Sequence, residues 1–346
     1  MLVPYINESN DAIRVGGHQM NIAREIEVDD VESFYSLLTM LDGKNSVGEI
    51  ASKASIPIEE LNDILYGLKE NGLIYENSFD EYNFSVEEAE LYDRNMNFFA
   101  WVDVEGIYYN YWQVQNKLKM AHILLLGAGG TGGQCAKSLV RLGVGEITII
   151  DYDIVELSNL NRQEFKVDDI GKLKVYALKT ELEKINPFVN INVKNKRIEN
   201  LDDLEQLGSN FDIVISCIDK PKNIFEILEK YVSNKPIPWI LGGYASTIMN
   251  HGIFDKDSMQ YTEILNADKN NHFDSKKLFE NEFWKWDNAI ISPIATISGN
   301  ISAMYCFYYL TNLKYLKKGY IQHLDFYNVQ NMKDFSYMTG DGDTVC

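Results

Sequence analysis

Gly127-Ala128-Gly129-Gly130-Thr131-Gly132 is the stretch that decides the fold, because it follows an apolar run, 122–127, and opens a helical segment. Glycine has no side chain, so the chain can turn tightly here and bring backbone amides close to a phosphate at the positive end of a helix dipole. Asp151 ends the next apolar run, where its carboxylate can accept hydrogen bonds from ribose hydroxyls. The pattern predicts a nucleotide site with Gly127, Gly129, Gly130 and Gly132 at the phosphates. It does not decide between a dinucleotide and a mononucleotide.

Apolar runs alternate with helical stretches from this motif onward. The runs cover residues 122–127, 146–151, 211–217 and 238–245. Such alternation predicts an α/β fold with a doubly wound, mostly parallel, Rossmann-like sheet covered by helices on both faces. We expect residues 250–290 to form an irregular crossover or lid segment, and residues 292–312 to form one long, mostly buried helix.

The amino-terminal residues have a different pattern and predict a separate winged-helix module, residues 1–77. Short extended segments are followed by three helical stretches and by a final strand at Leu73-Ile74-Tyr75; the earlier segments are 13–15, 23–28, 30–41, 46–54 and 58–71. The third helix is acidic and would be repelled by nucleic-acid phosphates. A peptide is therefore the expected partner, with a simple dimerisation role as the alternative.

Composition excludes several classes of function. The 346 residues include 32 basic and 51 acidic side chains, a formal charge of −19, so bulk nucleic-acid binding is not expected. No apolar run reaches the ~18 residues of a spanning helix, and the first ten residues lack signal-peptide features, which predicts a cytoplasmic protein without a membrane partner. The four cysteines, Cys135, Cys217, Cys306 and Cys346, show no C-x-x-C spacing, so no zinc site is expected.

Charged residues downstream of the glycine loop favour a mononucleotide, ATP, over a nicotinamide dinucleotide. ATP carries about four negative charges, and transfer of its adenylyl group requires neutralisation at the β and γ phosphates. Arg162 and Lys174 can supply this positive charge, and Asp219, at a strand tip, can bind magnesium. Taken singly, the two cations could also be solvated surface charges, Asp219 an N-cap for the next helix, and Asn159 a turn residue.

The combined motifs resemble the ubiquitin-activating-enzyme-like (E1-like) adenylyltransferases, the ThiF and MoeB group. The motifs, in family order, are Gly127-x-Gly-Gly-x-Gly132, Asp151-Tyr-Asp153, Ser158-Asn-Leu-Asn-Arg162-Gln163, Gly171-x-x-Lys174, Ile185-Asn-Pro187 and Cys217-Ile-Asp219. The resemblance implies bound ATP and Mg²⁺, and attack of a carboxylate on the α-phosphate to give an acyl adenylate and pyrophosphate. Its implied site residues are Asp151 at the ribose, Asp153, Asn159 and Gln163 at the nucleotide, Arg162 and Lys174 at the phosphates, and Asp219 at magnesium.

The same resemblance also predicts the roles of the other segments of the chain. Residues 119–338 correspond to the ATP-binding adenylation domain, and residues 339–346 are expected to be a disordered tail. Arg94, in a helical connector of residues 78–118, matches the position of an arginine finger that the family contributes across a homodimer interface. A surface helix residue is the alternative for Arg94.

The chain departs from the family pattern in two ways, and these differences point to one branch of the family. The chain lacks the paired Cys-x-x-Cys zinc ligands of many members, and it carries the amino-terminal module, which looks like the PqqD-like precursor-peptide recognition element of ribosomal-peptide tailoring enzymes. The chain is thus similar to the branch that contains MccB and PaaA. This implies ATP-dependent adenylation of a carboxylate on a ribosomally made precursor peptide, followed by cyclisation or nucleotide attachment, in the biosynthesis of a peptide antibiotic.

Three other functions remain open at this point. The chain could activate the C-terminus of a ubiquitin-like sulfur carrier, transfer hydride as an NAD-dependent oxidoreductase, or bind peptides without catalysis. Retention of every charged motif position argues against the last. We assign no chemistry to His251, and we expect Cys217 to be a buried strand residue and not a thioester nucleophile.

Overall fold

A computed structural model describes residues 4–15, 24–103, 105–267 and 289–337. They form two compact units, residues 1–117 and 118–346, which are described separately below. The expected tail, 339–346, with Cys346, and residues 268–288 of the expected crossover segment lie outside the described residues.

The first unit begins with a three-stranded antiparallel sheet in the order β1-β2-β3. The strands are β1 (Pro4–Ile6), β2 (Ala12–Val15) and β3 (Arg24–Glu27). Ile13, in the central strand, pairs with Ile6 on one side and Ile26 on the other. It is fully buried, so the apolar side of this small sheet faces the helices of the unit.

Three short helices follow, namely α1 (Val31–Thr39), α2 (Val47–Ala54) and α3 (Ile58–Glu70). Their starts are set by capping side chains: Asp30 accepts a bond from the amide of Ser33, and Ser46 forms a capping box with Glu49. Leu38 and Leu68 pack against the sheet in one apolar cluster, whereas Leu61 packs with residues of α1 and α2 in a second cluster.

The predicted strand at Leu73-Ile74-Tyr75 is wrong. The amide of Leu73 bonds to the carbonyl of Leu68 at 2.8 Å, and Gly72 adopts φ +66°, so this segment completes the end of α3. An amide used in this way cannot pair in a sheet, and the next residue pairing is an isolated bridge from Glu76 to Asn110. The sheet of this unit therefore precedes its helices. Two further helices, α4 (Val86–Val102) and α5 (Trp112–Met120), occupy the connector region.

The described part of the second unit forms an eight-stranded sheet in the order β11-β10-β9-β8-β7-β4-β5-β6. The strands are β4 (His122–Leu126), β5 (Glu146–Asp151), β6 (Asn190–Asn195), β7 (Ile213–Ser216), β8 (Trp239–Ala245), β9 (Ile248–Phe254), β10 (Tyr320–Asp325) and β11 (Lys333–Tyr337). Strands β6, β5, β4, β7 and β8, which are neighbours in that order, pair in parallel. Strands β8, β9, β10 and β11 pair in antiparallel.

Helices cover both faces of this sheet. They are α6 (Gly130–Leu142), α7 (Lys174–Ile185), α8 (Leu201–Glu205), α9 (Ile224–Val232), α10 (Tyr261–Ala267) and α11 (Ser292–Thr311). Strand β4 shows the two layers: Ile123 and Leu125 enter one core cluster, while Leu124 and Leu126 enter the other. The predicted α/β, doubly wound, mostly parallel fold is confirmed, as is the long helix near residue 292.

The expectation that residues 250–290 are irregular is wrong for much of the described part. Strand β9 includes residues 250–254, and helix α10 includes residues 261–267. The polar pair Asn250-His251 concealed the strand, although Met249, Ile253 and Phe254 are fully buried. Among the described residues, no helix is long and apolar enough to cross a membrane.

Candidate nucleotide site

The glycine loop connects β4 to α6, and three of its glycines are sterically required. Gly127 adopts φ +99°, a conformation that residues with side chains rarely adopt. A Cβ on Gly132 would lie 2.0 Å from the carbonyl oxygen of Gly127, and one on Gly130 would lie 2.9 Å from the carbonyl oxygen of Arg162. The loop thus folds against its own backbone and against the Arg162 segment.

Gly129 differs, because a Cβ there would find only the amide nitrogen of Gln163, at 3.8 Å. It is the residue before α6, and no side chain caps the helix. The first amides of a helix have no partner within it, and they attract anions. The start of α6 therefore offers an uncapped helix end for a phosphate.

Asp151 fixes the position of this loop. One carboxylate oxygen accepts a bond from the amide of Ala128 at 2.7 Å, and the other accepts one from the amide of Asp153 at 2.8 Å. A carboxylate has about four acceptor positions, so these two bonds leave room for ribose hydroxyls. The structure thus places Asp151 beside the glycine loop, as its predicted role requires.

Lys174 is the first residue of α7, and its buried side chain pairs with Asp153. The ammonium nitrogen lies 2.9 Å from the Asp153 carboxylate, and the amide of Lys174 bonds to the carbonyl of Asp153 at 2.9 Å. Only 8% of the lysine side chain is exposed, against 48% for Asp153. A buried cation with a half-exposed carboxylate partner is not a solvated surface charge, and it can take a phosphate as a further partner.

Asn159 and Arg162 belong to one turn after β5. Asn159 is buried; its side-chain oxygen accepts a bond from the amide of Glu156, and its carbonyl accepts one from the amide of Arg162. The guanidinium of Arg162 donates to the Ser158 carbonyl at 2.9 Å and to the Asn161 side chain at 2.8 Å. Asn159 therefore builds the turn that presents Arg162.

Gln163 follows in the same turn, and its side chain carries an unpaired acceptor. Its side-chain oxygen is buried and has no hydrogen-bond partner, while its side-chain nitrogen lies near Gly129. Buried polar atoms are rarely left unpaired. An unpaired acceptor beside a glycine loop fits a bound group with hydroxyl or amino donors, as a nucleotide has.

Asp219 lies with Asp151 and Asp153 along a cleft of about 190 Å³ at the carboxyl edge of the sheet. The other lining residues are Ile150, Tyr152, Lys196, Ile198, Ile218 and Lys220. Asp219 is exposed, and the N-cap of α9 is Asn223, so the capping interpretation of Asp219 is wrong.

The described residues contain no group of three or more metal-binding side chains. Magnesium is commonly held by one or two carboxylates together with substrate phosphates, and Asp219 fits that pattern.

Sequence reasoning missed a polar network that joins the glycine loop to α11. Thr131 donates to the hydroxyl of Ser298 at 3.3 Å, and Ser298 donates to the carbonyl of Gly243 at 3.2 Å. The imidazole of His251 donates through Nε2 to the Ser298 carbonyl at 3.0 Å, and burial lowers the pKa of His251 from 6.5 to about 4. No local motif signals contacts between residues so far apart in sequence.

Arg94 and Cys217 are the two other residues for which the sequence made a prediction. Arg94 is exposed on α4, within the first unit. Cys217 directly follows β7, and burial raises the pKa of its thiol from 9.0 to about 12. A thiol with so high a pKa is a poor nucleophile at neutral pH. The prediction of a buried strand residue is wrong in placement, because Cys217 lies just after the strand and is only partly buried.

Comparisons with known proteins agree with this geometry. A family model described as the ThiF family matches residues 92–342. Molybdopterin-synthase adenylyltransferase of Haemophilus influenzae is 31% identical over 222 residues, which cover 64% of this chain and 83% of that protein. The residues matched by the family model include the glycine loop, Asp151, Asp153, Arg162, Lys174 and Asp219.

Solved structures share the fold over almost the whole chain. The crystal structure of PaaA has a TM-score of 0.77 and 24% identity, and the match covers 96% of this chain and 97% of PaaA. Escherichia coli MccB, crystallised with AMPCPP and MccA, has a TM-score of 0.73 and 23% identity, with 98% and 96% covered. MccB has also been crystallised with ATP. Because the family model spans most of its length, the chain belongs to the ThiF family and is an E1-like adenylyltransferase.

Proposed function

We propose that this enzyme transfers AMP from ATP to a carboxylate of a ribosomally made precursor peptide, in the biosynthesis of a peptide antibiotic. A carboxylate oxygen attacks the α-phosphorus, the bond between that phosphorus and the α,β-bridging oxygen breaks, and pyrophosphate leaves with the bond electrons. The product is an acyl adenylate, which an internal nitrogen can attack to close a ring, or which further chemistry can convert to a nucleotide conjugate.

The observation that carries this proposal is the buried cation of Lys174 beside the glycine loop, together with Arg162 on the turn that packs against that loop. The Arg162 carbonyl abuts Gly130, and Lys174 is linked to the loop through Asp153 and Asp151. Negative charge grows on the leaving pyrophosphate, so two fixed cations there lower the barrier. Hydride transfer would leave both of them without a role.

The glycine loop and Asp151 would hold the nucleotide, while Gln163 would accept a donor from it. Asp219 would bind a magnesium ion, which supplies further positive charge to the phosphates when bound. These assignments rest on the unpaired Gln163 oxygen and on the shared cleft of Asp151, Asp153 and Asp219.

The amino-terminal unit offers a binding surface for the leader part of such a peptide. Strand β3 is an outer strand of its sheet among the described residues, and a groove of about 440 Å³ lies beside it. Apolar side chains dominate its lining, which includes Ile26, Phe34, Ile64, Leu68 and Leu73. A peptide could add to β3 as a strand and place alternate side chains in the groove. The crystallisation of MccB with MccA supports a peptide partner.

Arg94 is proposed to act as an arginine finger in the partner subunit of a homodimer. Its exposure leaves the guanidinium free to reach another protomer. Mixed dimers of Arg94→Ala with Asp219→Ala would then regain activity at one of the two sites, whereas each variant alone would be inactive. Absence of any recovery would reject the action in trans.

We propose that the reaction takes place in the cytoplasm, where ATP is abundant. Cys135, Cys217 and Cys306 are free thiols, as a reducing compartment favours.

Pyrophosphate exchange into ATP tests the proposal. Synthetic peptides encoded by short open reading frames beside the gene are the probes, and a sulfur-carrier protein ending in Gly-Gly is the competing substrate. Exchange that depends on one of the peptides supports the proposal. The similarity to molybdopterin-synthase adenylyltransferase favours the carrier as second candidate, and exchange with the carrier alone would establish that function instead.

A further inference from the structure

Asn250 has an unpaired polar atom at the carboxyl edge of the large sheet. It is the third residue of β9, which follows the end of β8 after two residues. Its side-chain oxygen is buried and, among the residues that the structure describes, has no hydrogen-bond partner. Buried acceptors are rarely left unpaired. The proposed nucleotide site does not use Asn250, so this oxygen is an acceptor for which a donor must be found.

The side chain of Asn250 lies on the sheet face that carries the nucleotide cleft. Residues two apart in a strand share a face, so Asn250 points to the same side as Phe254. Its neighbour His251 points to the other side, where it bonds to α11. Phe254 belongs to the core cluster that contains Ile150, a residue that also lines the cleft. A ligand on this face at the carboxyl edge can therefore contact both Asn250 and the cleft.

The residue opposite Asn250 is Gly243 of β8, and it leaves open space on the same face. A Cβ on Gly243 would meet no atom of the described chain within 4 Å. Its neighbour Gly242 differs, because a Cβ there would lie 2.2 Å from the hydroxyl oxygen of Ser302. Packing thus requires glycine at 242 and not at 243. A glycine inside a strand often marks the close approach of another backbone, so this space beside Asn250 fits an extended peptide.

This hairpin is connected to the glycine loop and lies within reach of the cleft. The hydroxyl of Ser298 donates to the carbonyl of Gly243 at 3.2 Å, and Thr131, in the first turn of α6, donates to that hydroxyl at 3.3 Å. Strand β9 is two strands from β7, which leads to Asp219, a separation of about 10 Å at the usual strand spacing. Three extended residues span about 10 Å. A peptide that passes Asn250 can therefore place a carboxylate at the cleft.

We infer that Asn250 binds the main chain of the substrate peptide, within about three residues of the carboxylate that is activated. This inference rests on the proposed adenylation of a peptide. A carboxamide has an acceptor oxygen and N–H donors, so it can pair with both the N–H and the C=O of a peptide unit. It is also neutral, so it does not repel the incoming carboxylate as the aspartates of the cleft do. The contact fixes the position of the chain without selecting its side chains.

Peptide-dependent pyrophosphate exchange, together with calorimetric titration of ATP plus Mg²⁺, tests the inference. The probes are the synthetic peptides encoded by short open reading frames beside the gene. Asn250→Leu keeps a similar shape and removes both hydrogen-bonding groups. We expect KM for the peptide to rise by about tenfold and ATP affinity to change less than about twofold. Asn192→Leu is the matched control and should change neither, since Asn192 pairs with Glu146 at the amino end of β5.

Gly243→Val is a second variant, which tests the open space instead of the hydrogen bond. Its side chain would occupy the space beside Asn250, so KM for the peptide should rise by about tenfold or more while ATP affinity is unchanged. Retained ATP affinity would show that the variant is folded. Wild-type KM in Gly243→Val would contradict the placement of the peptide on this face.

An amide-to-ester series in the peptide separates direct contact from an effect on packing. Each of the three amides nearest the activated carboxylate is replaced in turn by an ester, which removes one N–H donor. One ester should raise KM by about tenfold with the wild-type enzyme and by less than about twofold with Asn250→Leu.

Three results would each overturn the inference: additive losses for all three esters, wild-type KM in Asn250→Leu, or equal weakening of peptide and ATP binding. Exchange with the sulfur carrier alone would instead reject the precursor peptide as the substrate, and with it the basis of the inference. Peptide-dependent exchange that is indifferent to Asn250→Leu would reject the inference and leave the proposed function intact.

Discussion

The nucleotide cleft and the amino-terminal groove use opposite physical means to bind a ligand. In the cleft, Asp151, Asp153 and Lys174 hold one another and the glycine loop through bonds of 2.7–2.9 Å. In the groove, Ile64 and other apolar side chains line an open surface beside an outer strand. The cleft therefore depends on particular charges in fixed positions, whereas the groove depends on apolar area and on backbone bonds that many sequences can make.

This difference separates the effects of mutation in the two regions. Removing a charge from the cleft should lower the rate of chemistry, because charge develops in the transition state. Changing the groove should alter peptide affinity and leave nucleotide binding intact.

The largest effect is expected from Arg162→Ala and Lys174→Ala. Each should lower peptide-dependent pyrophosphate exchange by ~10²-fold or more, because a cation at the departing phosphates is lost. Lys172→Ala is the matched control, since Lys172 lies two residues away, has an exposed side chain and pairs with Asp169 instead of Asp153. Near-normal exchange in either site variant would mean that the cleft does not stabilise a triphosphate.

Gly132→Ala should have the next largest effect. The added methyl would lie 2.0 Å from the Gly127 carbonyl, so the loop must move, and we expect ATP affinity to fall by about tenfold. Gly133→Ala is the control, because its Cβ would meet nothing closer than 3.6 Å. Equal affinities in the two variants, measured by calorimetry, would show that the shape of the loop is not what binds the phosphates.

The contrast between the two regions also explains what the sequence could predict. Gly127, Asp151 and Lys174 could be predicted as site residues because their roles require particular residue types. They also occur in the same order as in the family motifs. The Thr131–Ser298–His251 network was missed because its contacts join residues far apart in sequence. The prediction of a strand at Leu73-Ile74-Tyr75 was wrong because apolar residues also occur at a helix end. There the amide of Leu73 already bonds to the helix and cannot pair with another strand.

Ile64→Asp sharpens the comparison from the side of the groove. A carboxylate there would lose apolar contact and would require desolvation, so leader-peptide affinity should fall by about tenfold. ATP affinity should be unchanged. Tyr66→Asp, at an exposed position of the same helix, is the control. A loss of ATP binding in Ile64→Asp would show that the amino-terminal unit serves stability and not recognition.

Protonation of His251 should have a smaller effect, which concerns the stability of the fold and not the reaction. Its folded pKa of about 4 lies below the ordinary 6.5 because burial disfavours the charged ring. The stabilisation is fully present above about pH 6.5 and is lost as the pH falls toward 4, by up to about 3 kcal/mol.

Urea unfolding at several pH values would measure this loss. His251→Gln should flatten the profile between pH 6.5 and 4. An unchanged slope in His251→Gln would assign the acid sensitivity to other groups.

Competitive calorimetry on the wild-type chain, with ATP plus Mg²⁺ against NAD⁺, tests the central claim most directly. The account predicts that ATP binds, that Lys174→Ala weakens this binding, and that NAD⁺ does not displace it. Tight binding of NAD⁺ with no measurable binding of ATP would contradict the account.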